Sequence, residues 1–360
     1  MTRPLLAGAL IAAALLPGAP ALAGNSYRVP GWIASDCSAD VTVELTAWIG
    51  AVPDRSVLAF ERGACYRVDG TLEVTDRRRL VIKGKGATFK AVTAGATGRS
   101  QWRITRGGHV VLRGMRVRGA NPSGGSFDAA MQHQHAFDLV GAHDVAIQGV
   151  DASGVYGDCF YVGRDHDPPH RWSSRIRIRD SSCSGTGRMG VAVVAGRRVV
   201  VERTRFRRIA RTVLDIEPSG VGFGARRVRF VGNAAAGVLP GGFFSAIGDG
   251  PVEDVTIAGN RLTGAGMYMA VMAPPGQRRT RFRIARNRSD TPYHAPGSAA
   301  LDFERVDGLT VARNTIAVSG QGVALASVLE SCDVAIYGNR VSHGAREARI
   351  APYQCPGSGR

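Results

Sequence analysis

Lysine occurs at only three positions, 83, 85 and 90, in a chain whose formal charge is +17. The positive balance is therefore almost wholly arginine, and the arginines are spread along the chain rather than gathered in one block. Two readings stay open. Arginine in place of lysine can reflect a GC-rich genome, and a strong positive field attracts polyanions such as acidic polysaccharide, lipopolysaccharide or nucleic acid. Nucleic acid is set aside, because the arginines lack aromatic interleaving and a reading element.

Long apolar runs are missing as well. No segment reaches the ~18 apolar residues that a membrane-spanning helix needs, so no stable insertion is expected. The start of the chain instead has the form of an export leader. Met1-Thr2-Arg3 carries a positive charge, Leu5 to Leu16 is apolar, and Ala21-Leu22-Ala23 has the small-x-small form of a cleavage site. Residues 1–23 read as a signal peptide, which places the mature chain, from near Gly24, in a secreted or periplasmic setting. Zinc spacings of the Cys-x-x-Cys or Cys/His kind are also absent. Six cysteines in an oxidising compartment are enough for three disulfides. Cys37 and Cys65 bracket the start of the repeats described next, and Cys332 and Cys355 bracket their end. Pairing within each end would pin the termini, and Cys159–Cys183 follows by elimination.

A short polar–apolar–any–apolar–polar unit recurs down the chain. Its last apolar residues fall at 82, 112, 147, 178, 201, 230, 257, 284, 311 and 336, ten matches at intervals of 23 to 35 residues. Examples are Val145-Ala146-Ile147, Val228-Arg229-Phe230 and Leu309-Thr310-Val311. Alternation with period two marks each unit as a half-buried strand. Three residues beyond the apolar end, the last five units carry Asn233, Asn260, Asn287, Asn314 and Asn339. Asparagine tolerates a bend and can bond to its equivalent one coil away, so an asparagine ladder at ~4.8 Å spacing is expected along one edge. A second apolar–any–apolar strand (Phe137-Asp138-Leu139, Phe160-Tyr161-Val162, Val191-Ala192-Val193, Leu214-Asp215-Ile216, Leu301-Asp302-Phe303) and a third, shorter one complete each coil. Two to three strands per ~25-residue coil fit neither leucine-rich repeats nor propeller blades. The fold read from this is all-β: a right-handed parallel β-helix of about ten coils. Its ends need covering, and Val41, Leu45, Trp48 and Ile49 predict a capping helix behind Asp40 as N-cap. The expected layout is a cap over 24–78, coils over 79–345 and a tail over 346–360.

The stretch Pro53 to Phe60, with Tyr66 and Gly70-Thr71-Leu72, resembles the N-terminal cap of the pectin-lyase-like superfamily. Together with the repeats, the resemblance covers nearly all of the mature chain. It implies the β-helix fold and carbohydrate chemistry, although lyases, hydrolases, epimerases and adhesins all use this architecture. The Asn-Thr-Asp, Asp-Asp, Gly-His-Gly and Arg-x-Lys motifs of polygalacturonase-like hydrolases are absent. So are the arginine motifs of pectate lyases. Of the Tyr-Gly-Phe-Asp-Pro-His segment of alginate epimerases, only the fragments Tyr156-Gly157-Asp158 and Asp167-Pro168-Pro169-His170 occur.

Candidate chemistry is sought on the outer face of one strand column. Aligned second strands put Asp138, Tyr161, Ala192 and Asp215 in one column, with Asp302 further along and His135 beside Asp158. Asp215 and Glu217 both face outward, two residues or ~6.6 Å apart, at the lower edge of an inverting glycosidase pair. Arg188 or Arg211 is expected to separate their pKa values. For lyase chemistry Tyr161 or His135 would be the base. Asp138, Arg188, Arg211 and Tyr156 are the expected substrate contacts. His133, His135, Asp165, His166, Asp167 and His170 read as an exposed polar loop cluster, with Arg164 to Trp172 as a wall of the groove. No metal site is assigned and no cofactor is required by a motif, with Ca²⁺ left open. The expected function is an exported, monomeric protein acting on a polysaccharide, most naturally an acidic one, by lyase or hydrolase chemistry. The alternative is a non-catalytic surface or envelope glycan-binding module.

Overall fold

A computed structural model describes residues 24–237, 242–293, 299–319, 323–341, 346–351 and 353–355. The expected leader, 1–23, lies outside them. Three parallel sheets of 12, 12 and 11 strands run the length of the molecule, and successive coils supply neighbouring strands of each sheet. The result is a parallel solenoid of about 11 turns. The recurrent apolar units form the first sheet, where Ala146–Gln148 sits between Val111–Arg113 and Ser173–Arg179. The short strands centred on Val117, Cys183 and Phe206 form the second sheet. The strands with outward Asp or Tyr form the third.

Period-two alternation decides what is buried. Ile147, Ile178, Val201 and Phe230 stack inward from the first sheet without solvent exposure. Phe137 and Phe160 stack in parallel from the third at 5.6 Å. The coil then turns through a left-handed residue two positions after the inward apolar side chain: Asp180, Arg203, Gly232, Gly259, Arg286 and Arg313 all have positive φ. That conformation costs a non-glycine residue ~1–2 kcal/mol. The next residue supplies the compensation. Asn260 accepts the backbone N–H of Asn233 at 2.9 Å through Oδ1, and its Nδ2 donates to Phe230 O and to Asn287 Oδ1, both at 2.9 Å. Asn287 and Asn314 repeat the pattern, and Asn339 ends it. The expected asparagine ladder is present, and Thr204 extends it by one rung through its N–H to Asn233 Oδ1.

The N-terminal helix spans Thr42–Ala51 and buries Leu45 and Ile49 on the first coils. Trp48 meets Phe60 edge-on at 5.4 Å, at the top of an aromatic cluster with Tyr66, Phe89 and Trp102. Two expectations need correction. The N-cap is Val41, and no side chain caps it. Asp40 stands one position earlier and accepts the N–H groups of Thr42 and Asp69, so it ties the helix to the first coil. The sheets also outrun the expected limits of 79 and 345. Val57–Ala59, Cys65–Arg67 and Leu72–Thr75 already pair with later coils, and Arg346–Ile350 adds the last strand of the third sheet.

The disulfides are Cys37–Cys65, Cys159–Cys183 and Cys332–Cys355, as expected. Among the described residues no helix is long and apolar enough to cross a membrane.

Candidate functional site

The outward column of the third sheet is the candidate site. Its register reads Glu73, Arg103, Asp138, Tyr161, Ala192, Asp215, Ser245, Ala270 and Asp302. The column therefore matches the sequence alignment, with Asp138 one rung from Tyr161 and three from Asp215. At ~4.8 Å per rung the two aspartates are ~14 Å apart. What alternation alone does not give is the burial. Asp138 and Asp215 face outward from the solenoid, yet each is only 5 % exposed.

Beside the start of these strands a second set converges. Asp158, fully buried, accepts the backbone N–H of Met189 at 2.9 Å and a guanidinium N–H of Arg188 at 3.1 Å. The other arm of Arg188 reaches Glu217 Oε2 at 2.7 Å. One arginine thus joins a buried carboxylate to a half-exposed one. His135 Nδ1 lies 3.1 Å from the Asp158 backbone N–H, and its ring stacks on Tyr161 at 4.6 Å. Gly157 makes this approach feasible, because a Cβ there would fall 2.8 Å from His135 Nδ1 and 2.6 Å from Gln132 O.

The electrostatics differ from residue to residue. Burial raises the Asp215 carboxyl to about 7, and the Glu217 charge beside it adds to the effect. Burial lowers His135 to about 4, so its imidazole is neutral at pH 7. Burial also pushes the Tyr161 phenol upward, helped by Asp138 and Asp158. A tyrosine base needs a shift the other way, so Tyr161 is poorly placed to act as one. Asp138 is held by Arg103 at 2.8 Å and by Ser100 at 3.1 Å.

Arg188, His135, Asp158, Tyr161, Asp215 and Glu217 thus form one neighbourhood. Two residues named from the sequence stand elsewhere. Arg211 is exposed and stacks its guanidinium 4.8 Å above the Phe127 ring. Tyr156 is half-buried one residue before Gly157. The loop histidine cluster also divides, because His135 is buried at the site rather than exposed in a loop. The Arg164-to-Trp172 segment sits at the far end of the strands. There Trp172 donates to Gly222 O at 2.7 Å and Arg164 covers Phe223. Sequence reading missed Arg103, Ser245 and the stacked pair Tyr268/Tyr293 beside Asp302. The recurring outward position could have pointed to the first two.

No protein-family profile matches the chain, and no curated protein does. Solved structures do. The endo-xylogalacturonan hydrolase of Aspergillus tubingensis superposes with a TM-score of 0.59 at 10% identity, covering 91% of this chain and 96% of that one. The chain shares the right-handed parallel β-helix fold of this hydrolase. The same fold aligns with the A-module of a mannuronan C-5 epimerase from Azotobacter vinelandii, with a TM-score of 0.53, 15% identity and 91% and 100% coverage. It also aligns with the Streptococcus pneumoniae surface protein and adhesin PfbA, with a TM-score of 0.57, 10% identity and 90% and 99% coverage. Hydrolase, epimerase and adhesin share the scaffold, so the likeness settles architecture and not activity.

Proposed function

We propose that this is an exported protein that hydrolyses an acidic polysaccharide, with Asp215 as proton donor and Glu217 as the carboxylate that activates water. The supporting observation is the contrast between two neighbouring carboxyls. Asp215 is buried with a pKa raised to about 7, whereas Glu217 is half-exposed and held by Arg188. Environments that separate two carboxyls in this way suit one for the acid role and the other for the base role. In the reaction, the Asp215 proton passes to the glycosidic oxygen as the bond to the anomeric carbon breaks. Glu217 takes a proton from the water whose oxygen bonds to that carbon, and exchange with solvent returns both groups to their starting state. Glu217 Oε1 carries no hydrogen bond among the described residues and is the oxygen open to that water.

Arg188 orients Glu217 and balances Asp158. The arginine-rich surface, at a formal net charge of +17, favours a uronate-bearing chain over a neutral one. The superposition on a xylogalacturonan hydrolase supports this reading by fold alone. Reducing ends released from uronate-rich polysaccharide, with Ca²⁺ or chelator present, provide the test. Wild-type protein releases them, and Asp215→Asn loses the rate by ~10²–10⁴-fold, the usual worth of a general acid. Full retention of the rate in Asp215→Asn overturns the assignment, and binding without any product favours the glycan-binding alternative.

A further inference from the structure

Away from the carboxylate column, at the turn that leads from the third sheet to the first, lies a cavity of about 430 Å³ lined by Arg55, Arg78, Arg79, Arg171, His109, His143 and one carboxylate, Asp54. The ladder of bridges Arg78–Gly108–His143–Ser174 forms its floor. Gly108 is what makes room in it. A Cβ at that position would lie 2.2 Å from His143 Nε2, so the imidazole occupies the space that any other residue would fill. His109 meets His143 edge-on at 5.9 Å.

The charge balance is one-sided. The nearby acids are already engaged: Asp54 accepts Arg77 at 2.9 Å and the Arg78 backbone N–H at 3.0 Å, and Asp144 is held by both arms of Arg175 at 2.5 and 2.6 Å. Arg55, Arg78, Arg79 and Arg171 have no ion-pair partner among the described residues. At two other coil corners an arginine is neutralised by an aspartate one coil below, Arg203 by Asp180 and Arg281 by Asp254. This corner gathers four guanidiniums that have no ion-pair partner among the described residues around one concavity.

His109, His143 and Asp144 do come close enough to share a cation. A cation there would have to displace Arg175 from Asp144 and sit among the free arginines, which the electrostatics oppose.

We propose that this cleft is an anion-binding subsite that takes the carboxylate groups of an acidic glycan at a distance from the reacting bond. Guanidinium forks match planar carboxylates, and an imidazole N–H can add a further hydrogen bond. The choice of glycan rests on the proposed function, whereas the choice of an anion does not.

Imidazole NMR of His109 and His143 in the full mature chain tests both parts. Inorganic sulfate is titrated first, then an oligouronate, a neutral oligosaccharide of equal length, and Zn²⁺ or Ca²⁺. The expected result is saturable shifts with sulfate and oligouronate and none with the neutral sugar. Affinity should fall at least tenfold in Arg78→Gln/Arg79→Gln, and Gly108→Ala should displace the His143 signals before any ligand is added. Shifts with a cation but not with sulfate overturn the anion site. Sulfate shifts without oligouronate shifts overturn the glycan assignment. Lack of product from the carboxylate column bears on the proposed function alone, because this titration needs no turnover.

Discussion

Arg188 and Glu217 are joined across adjacent coils by a 2.7 Å ion pair, and the other arm of the same guanidinium holds the fully buried Asp158. Removing this arginine leaves a buried carboxylate without its counter-charge. A broken buried pair costs ~3–5 kcal/mol. Arg188→Gln is therefore expected to lower the denaturant midpoint markedly, while Glu217→Gln, which leaves Asp158 paired, barely moves it. Urea unfolding of the two variants checks the ordering.

The raised pKa of Asp215 has consequences for both rate and stability. As proton donor it is competent below about pH 7, so the hydrolysis rate should fall on the alkaline side through that value. Its folded pKa lies above the unfolded one, so the folded state holds the proton more tightly. The stabilisation is full below the unfolded pKa of about 3.8 and is lost as pH rises through about 7. Asp215→Asn should therefore raise the melting temperature at pH 8 and leave it nearly unchanged at pH 4. Thermal scans at the two pH values read this directly.

Asn287 sits mid-ladder and is 1 % exposed. Its amide accepts from Asn260 and donates to Ile257 O and Asn314 Oδ1. Asn287→Ala leaves several buried groups without partners, at ~1–3 kcal/mol for each unsatisfied group. Asn339, at the half-exposed end of the ladder, should cost less. Amide exchange at Asn260, whose backbone N–H loses its acceptor, should speed up in the first variant and hold in the second.

Gly157→Ala would drive a Cβ to within 2.8 Å of His135 Nδ1 and of Gln134 O. The contact is with backbone and a stacked ring, so neither can give way cheaply. The variant should lose stability and move His135 off Tyr161, which the His135 imidazole shift would report. In the wild type that shift should show no titration between pH 5 and 8, because His135 stays neutral down to about 4.

The disulfide pairing was reached by bracketing the two ends and by elimination, whereas the coils and the ladder were legible because each rests on a period that composition cannot imitate. The outward column was legible for the same reason, since strand alternation and coil length fix which residues become neighbours. The division of labour between arginines was not. Arg188 and Arg211 each stand four residues before their column residue, Ala192 and Asp215, and so look equivalent. Phe127, carried in from a loop far back in the chain, takes the Arg211 guanidinium and leaves Arg188 to the carboxylates. The burial of Asp215 was hidden too, because alternation distinguishes inward from outward but not open from roofed. The cleft at His109 and His143 escaped notice because Gly108 contributes by lacking a side chain.

The most direct measurement follows ultraviolet absorbance and reducing ends together while the mature protein acts on a panel of uronate-rich and neutral polysaccharides. Hydrolysis through Asp215 and Glu217 predicts reducing ends from an acidic substrate with no rise in absorbance. A parallel rise in absorbance, which marks the unsaturated product of a lyase, would contradict it.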